Sequence, residues 1–155
     1  MTPEQPDRFE APLELMPWGR NTYTVIKIPE ELAVRARVAS TRRVEGTVNG
    51  VPVNVGLNRS DVTPNTFVYV GRGLQQRLGV SAGDLVECVL TPADPDHVPV
   101  PADVLAALED AGRRTPFERT SAPEKRRLLA LIEGAVRPTP RARRISALVE
   151  SLPPD

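Results

Sequence analysis

The chain has 155 residues, and its 20 basic and 20 acidic side chains give a formal net charge of zero. A chain of this length forms one domain, or a domain of roughly 95 residues with a helical appendage, and needs no disulfide or metal to fold. The single cysteine excludes a disulfide framework, and no apolar stretch of the sequence approaches the ~20 residues of a membrane-spanning helix.

The first part of the chain predicts strands and one short helix. Residues 1–7 lack the basic start and apolar core of a signal peptide, so we expect a disordered leader and a cytoplasmic protein. Apolar residues alternate over 9–15, with Pro12 on the polar phase, which is typical of an edge strand or a bulge. A β-branched run over 22–28 predicts a second strand, and Pro29 is placed to begin a helix over 30–38.

The clearest local signal is a β-hairpin. Two alternating arms, 43–48 and 51–57, flank Asn49-Gly50, a pair that accepts the positive φ values of a type I′ turn. Gly46 and Gly56 lie within the arms, where glycine indicates a bulge or a sharp bend.

Shorter elements follow, and their boundaries come from glycines, prolines and polar residues. In chain order the sequence predicts a polar loop at 58–65, a strand at 66–70, a helical turn at 74–78 ended by Gly79, a turn at Gly83-Asp84, a strand at 85–91, a loop at 92–97 and a last strand at 98–100.

From residue 101 the apolar period changes from that of a strand to that of a helix. One short helix carries Val104, Leu105 and Leu108 and ends at Gly112. Ser121 and Glu124 form a capping-box pattern before a second helix. Thr139-Pro140 resembles a further N-cap, before apolar residues at 145, 148, 149 and 152. We expect these helices to need the β domain or a partner to cover their apolar stripes.

A strand–helix–strand unit occurs twice, over 23–48 and over 66–90. We therefore predict an α+β protein made of a small pseudo-symmetric β-barrel over 8–100 and a C-terminal helical arm over 101–152.

Three short segments, 23–31, 46–50 and 78–84, resemble a bacterial domain of unknown function with a small β-barrel fold. The segment 139–145 resembles the C-terminal part of the bacteriocin-protection, YdeI/OmpD-associated family. Together the two resemblances cover most of residues 8–152 and imply no agreed enzymatic activity. They imply an accessory or stress-protection protein that acts by binding an unknown protein partner.

The repeated unit also resembles swapped-hairpin, AbrB-type DNA-binding domains. Those domains build their barrel from two chains with one copy each, so the resemblance implies a comparable barrel formed inside one chain.

A nucleic-acid-binding regulator is the first alternative, because residues 113–144 hold ten basic and three acidic side chains. Its candidate site is a set of four arginines near the start of the last helix, which could contact phosphates. The competing interpretation is a solvated helix face that pairs with the more acidic β domain. The four residues are Arg137, Arg141, Arg143 and Arg144.

A small-ligand binder or enzyme at the barrel mouth, or in the groove between barrel and arm, is the second alternative. No motif nominates a catalytic residue, a metal ligand or a cofactor-binding residue, so we expect no cofactor and favour a protein that is not an enzyme. His97 is interpreted as loop polarity, Gly71-Arg72-Gly73 as a turn, and Trp18 and Cys88 as packing residues.

Overall fold

The computed structural model describes residues 5–135 and 137–154 and divides the chain into two compact units at Pro95 and Asp96. Most of the leader predicted for 1–7 lies outside the described residues, and Asp7 begins the first strand. In chain order the described elements are β1 (Asp7–Pro12), β2 (Glu14–Trp18), β3 (Asn21–Lys27), α1 (Glu30–Val38), β4 (Arg43–Val48), β5 (Val51–Gly56), β6 (Asn58–Ser60), β7 (Thr63–Tyr69), α2 (Arg72–Leu78), β8 (Leu85–Pro92), α3 (Ala102–Asp110), α4 (Arg114–Glu118), α5 (Ala122–Glu133) and α6 (Pro138–Ser151). The protein is therefore α+β, with a helical C-terminal region.

The first unit consists of two four-stranded antiparallel sheets. Their strand orders are β1-β8-β4-β5 and β2-β3-β7-β6. One apolar cluster draws residues from both sheets and from helices α1 and α2, so the two sheets share a core. Its fully buried members include Leu13, Ile26, Leu32, Val44, Val70, Val86 and Leu90.

The predicted closed barrel does not appear among the described residues. The edge strands are β1 and β5 in one sheet and β2 and β6 in the other, and the chain passes between the sheets without an intervening helix after Pro12 and after Gly56. At the first of these points β1 pairs through Pro12 with Leu85, and β2 begins two residues later with Glu14 opposite Val25. The single strand predicted over 9–15 is thus two strands. Leu15, expected on the buried phase, is 62% exposed as a result.

The predicted hairpin is confirmed. Strands β4 and β5 pair in register from Arg43 opposite Gly56 to Val48 opposite Val51. Asn49 has φ +50° and Gly50 has φ +75°. The turn is also fastened to β8, because the Asn49 N–H donates to the Glu87 carbonyl and the Glu87 N–H donates to Asn49 Oδ1, both at 2.8 Å.

The sequence context of Gly46 predicts a bulge or a sharp bend, but the structure has no bulge there. Gly46 pairs in unbroken register with Val53 on one side and Leu90 on the other. Its φ is +146°, and a Cβ at this position would overlap the carbonyl oxygen of Val89. The glycine is required because two backbones approach closely, not because a residue is inserted. Gly56, in contrast, does end β5 just before the chain changes sheet.

Two further sequence predictions are wrong. The loop predicted over 58–65 contains the edge strand β6 and the start of β7, joined through a tight turn in which Ser60 lies opposite Thr63. The strand predicted over 98–100 is absent from the described residues, and Val98 and Val100 pack against the helical cluster instead. The polar composition of residues 58–65 hid the strands there, and the apolar composition of residues 98–100 suggested a strand that does not form.

The helices of the first unit agree with their local signals. Helix α1 begins after Pro29 and carries Glu30 and Glu31 in its first turn. Helix α2 ends at Gly79, which adopts the left-handed conformation with φ +68°.

The second unit is helical and has its own apolar cluster, formed by α3 to α6. Helix α4 was not predicted, and it supplies Phe117, which is 2% exposed. The apolar stripes predicted for three helices meet one another around this ring. The buried members of the cluster are Val104, Leu108, Phe117, Leu129, Ile132, Ile145, Leu148 and Leu152.

The sequence predicted the N-cap of α5 correctly and that of α6 incorrectly. Ser121 caps α5 as predicted and accepts a hydrogen bond from the Glu124 N–H at 3.3 Å. Helix α6 begins at Pro138 with Arg137 as its N-cap, so Thr139 is not the cap. A proline suits the first helical position because its fixed φ is already helical and it has no N–H to satisfy.

In the part of the chain that the structure describes, no helix is long and apolar enough to cross a bilayer.

Replacing Gly46 by alanine is expected to lower the free energy of unfolding of the first unit by about 3 kcal/mol or more, because the new methyl group would force β4 away from β8. Urea unfolding followed by Trp18 fluorescence would measure the loss, since Trp18 lies in the same unit.

Gly50→Ala is the matched control. Gly50 also has positive φ, but a Cβ there meets nothing within 4 Å. Its cost is expected near 1 kcal/mol, from backbone conformation alone. Equal losses for the two variants would contradict the close-approach explanation of Gly46.

Candidate functional site

The first unit contains a cavity of about 510 Å³, widely open to solvent, where β3, the end of β7 and the start of α2 meet. This volume lies within the range of small-molecule sites, but such sites usually enclose most of the ligand, whereas this cavity is open. Its lining includes two tyrosines, two threonines, a glutamine and an arginine. The lining residues are Thr22, Tyr23, Thr24, Tyr69, Val70, Gly71, Arg72 and Gln75.

Strand pairing and one side chain build the wall of the cavity. Strands β3 and β7 are antiparallel, with Val25 opposite Tyr69, and the Val70 N–H donates to the Thr24 carbonyl at 2.8 Å. Gln75 Nε2 donates to the Val70 carbonyl at 2.8 Å, which ties α2 to the end of the strand. Gly71 serves as the N-cap of α2. The segment 71–73, predicted to be a turn, is therefore the start of this helix.

Four of the six aromatic residues of the chain lie together against the second sheet, and two of them, Tyr23 and Tyr69, also line the cavity. The ring centroids of Tyr23 and Tyr69 are 5.5 Å apart, and those of Phe67 and Tyr69 are 5.3 Å apart. Trp18 packs edge-on against Tyr23 at 6.2 Å. These are the separations and tilts that aromatic pairs favour. Trp18 is a packing residue, as expected, but the row it belongs to reaches the cavity.

Buried side chains support the aromatic row from below. Val25 and Phe67 are completely buried, while Tyr69 keeps 37% of its surface exposed. The Tyr69 ring therefore packs edge-on against a buried ring and keeps part of its surface exposed. Sequence reasoning missed Tyr23 and Tyr69 as site residues. The signal was a tyrosine in each of two predicted strands, but nothing local showed that these strands pair.

Arg72 is the single ionic side chain of the cavity lining, and it is exposed. The lining residues include neither a carboxylate nor a histidine or cysteine. The electrostatic character of the site is consequently cationic.

The four arginines predicted as an anion-binding surface lie just before α6 or in its first half, but their surroundings differ. Arg141 donates from Nε and Nη2 to both carboxylate oxygens of Asp103, at 2.7 and 3.0 Å. Arg144 donates from Nη1 to the Leu131 carbonyl at 2.7 Å. Arg137 precedes the helix as its N-cap, and Arg143 is exposed. Two of the four guanidinium groups thus connect α6 to α3 and α5.

The Asp103–Arg141 pair is bidentate, which is the strong geometry for arginine and carboxylate. The hydrogen bond from Arg141 is the main reason that the pKa of Asp103 lies below its usual range. The same hydrogen bond raises the pKa of Arg141.

Other titratable candidates do not form a site in the described parts of the chain. No group of three or more histidine, cysteine, aspartate or glutamate residues there could hold a metal ion. Cys88 is buried in β8, and burial raises the pKa of its thiol to about 11. The thiol therefore stays protonated and unreactive at neutral pH, as its apolar surroundings in the sequence indicated. His97 lies exposed in a loop.

Asp103→Asn is expected to lower the stability of the helical unit near pH 7 by about 0.5–1 kcal/mol, the range for a partly exposed ion pair. Because the folded state lowers the pKa of Asp103, the pair stabilises the fold fully above the unfolded pKa of about 3.9, and this stabilisation is lost as the pH falls through the lower folded-state pKa. The difference between variant and parent should therefore shrink as the pH is lowered from about 5 through this range.

Urea unfolding followed by far-ultraviolet circular dichroism would measure this difference. Glu150→Gln is the control, since Glu150 is exposed and has no ion pair among the described residues. A loss that is independent of pH would contradict the ion-pair explanation.

Comparison with known proteins gives one result. The model of a family described as a domain of unknown function, DUF1905, matches residues 9–90. No curated protein and no solved structure matches the chain. The matched segment runs from β1 into β8 and covers more than half of the chain, including every residue that lines the cavity. The chain therefore belongs to the DUF1905 family of domains of unknown function.

Proposed function

We propose that this protein acts by binding and not by catalysis, and that the cavity between β3, β7 and α2 is its small-ligand site. The observation that carries the proposal is the cavity itself, about 510 Å³ in volume and lined by two tyrosines, two threonines, a glutamine and an arginine. Small-molecule sites combine an apolar wall with a few polar groups in this way.

The rigidity of the wall favours binding. Backbone pairing holds Thr24 against Val70, and the Gln75 side chain holds α2 against the same residue. Tyr23 and Tyr69 are packed against each other and against buried neighbours. A site whose groups are already ordered loses little conformational entropy when a ligand enters.

The accessory and stress-protection role is part of the proposal. Its support is the resemblance of residues 139–145 to the bacteriocin-protection, YdeI/OmpD-associated family.

We also propose that the first unit is a duplicated strand–helix–strand arrangement related to AbrB-type domains. Support comes from the pairing of equivalent strands, since β3 lies antiparallel to β7 and β4 lies antiparallel to β8. The strand that begins each unit thus pairs in one sheet, and the strand that ends each unit pairs in the other.

A nucleic-acid-binding role for the arginines is the second candidate, favoured by the exposed Arg143 and by Arg137 at the start of α6. On this hypothesis labelled duplex DNA should bind with micromolar affinity that weakens steeply with salt in an anisotropy titration. The double variant Arg137→Ala/Arg143→Ala should reduce the salt slope by roughly 0.9 per lost phosphate contact.

This pair of substitutions spares the Asp103–Arg141 interaction, so it tests phosphate binding without disturbing the helical core. Arg20→Ala/Arg59→Ala removes two exposed arginines of the first unit and serves as the control. Absence of binding at low salt would exclude nucleic acid as the partner and leave these arginines with a structural or protein-binding role.

The proposed cavity site is tested by titrating a small set of neutral, anionic and cationic fragments into ¹⁵N-labelled protein. At least some fragments should shift the amide resonances of residues 22–24 and 69–75. Thr22→Trp should abolish these shifts, because the indole would occupy the cavity mouth.

Arg59→Trp is the control, since it places the same side chain on an exposed residue of the same unit, outside the lining. If no fragment of any charge shifts the lining resonances, the ligand-binding proposal is wrong.

A further inference from the structure

We infer that the cavity selects a small planar aromatic anion, whose ring lies against Tyr69 and Tyr23 and whose anionic group meets Arg72. This inference rests on the proposed ligand-binding function and specifies the chemical class of the ligand.

The aromatic requirement follows from the way the tyrosines are held. Tyr69 contacts Phe67 and Tyr23 at centroid distances of 5.3 and 5.5 Å, and both Phe67 and Val25 are fully buried. Tyr69, which lines the cavity, keeps 37% of its surface exposed, so the row is accessible to solvent at this residue. A planar ring that entered the cavity would continue the row with the same offset or edge-on geometry.

The anionic requirement follows from charge complementarity. Among the eight lining residues, Arg72 carries the one ionic group, and no carboxylate of the lining neutralises it. A guanidinium binds carboxylate or phosphate through two parallel hydrogen bonds. A cationic ligand would instead meet a like charge with nothing to offset it.

The remaining polar side chains add little to the recognition of such a ligand. Thr22 and Thr24 alternate with Tyr23 along β3, so their hydroxyl groups lie on the opposite face of the strand from its ring. The Gln75 amide nitrogen already donates to the Val70 carbonyl at 2.8 Å. The cavity thus discriminates by one charge and one stacking surface.

Two sources share this chemistry, namely aromatic carboxylates and nucleotides, whose base and phosphate supply the ring and the charge. The cavity volume of about 510 Å³ accommodates either. The experiment therefore includes one probe of each kind.

The test is a ¹H–¹⁵N NMR titration of the full chain with five probes. 2-Naphthoate and adenosine 5′-monophosphate are the aromatic anions. 2-Naphthylmethanol, 2-naphthylmethylamine and cyclohexanecarboxylate change the charge or the ring separately. At least one aromatic anion should shift the resonances of residues 22–24 and 69–75 with a dissociation constant about tenfold below those of the amine and the cyclohexane acid. The better of the two anions identifies the source.

Single substitutions test which residue accounts for the preference for an anionic group and which for the preference for an aromatic ring. Arg72→Gln should weaken the aromatic anion about tenfold and leave 2-naphthylmethanol unchanged. Tyr69→Leu should remove the preference for naphthoate over cyclohexanecarboxylate. Arg59→Gln, which changes an exposed arginine outside the lining, should alter neither. Each variant is compared after its spectrum shows the dispersion of the parent.

The outcomes separate this inference from the function on which it rests. If neutral or cationic probes bind the lining as tightly as the anions, or if Arg72→Gln has no effect, the inference is overturned while the ligand site stands. If no probe shifts the lining resonances, both the ligand site and the inference fail.

Discussion

The short ladder between β3 and β7 is the interaction on which the first unit depends. In its register Ile26 lies opposite Val68, and the next pair along places Val25 opposite Tyr69. Ile26 and Val68 face the core shared with the other sheet, whereas Val25 belongs to the aromatic cluster on the opposite face. A slip of one residue would exchange these faces and separate the two tyrosines. The packing of the core, the aromatic row and the cavity wall therefore all depend on the pairing register of β3 and β7.

Local signals in the sequence predicted elements well where a single residue type decides the backbone. The Asn49-Gly50 hairpin, the start of α1 after Pro29 and the end of α2 at Gly79 all follow from intrinsic φ preferences. The family assignment over residues 9–90 also agrees with the resemblance drawn from such segments.

Non-local pairing set the limit of prediction. The change of sheet at Leu13, the edge strand β6 and the helix around Phe117 depend on partners far away in the sequence. The cavity belongs to the same class, because Tyr23 and Arg72 come together through strand pairing and through a helix held by Gln75. The sequence identified the four arginines of the predicted surface. It did not reveal that Arg141 binds Asp103 or that Arg144 binds the Leu131 carbonyl.

The basic stretch shows how charge counts conceal structure. Arg113 donates from Nη1 to the Val149 carbonyl at 2.6 Å, and Arg127 binds Glu124 within α5. Arg114 binds Glu109 and Glu118. Much of the excess positive charge between residues 113 and 144 thus joins helix ends and neighbouring carboxylates.

The burial of Cys88 has a practical consequence. It lies in β8, between β1 and β4, and is 1% exposed. A thiol reagent can reach it only when this central strand opens, and at neutral pH its sulfur remains protonated until then. The rate at which Cys88 is alkylated, measured by mass spectrometry, therefore reports how fast the β unit opens. The measurement needs no substitution in the chain.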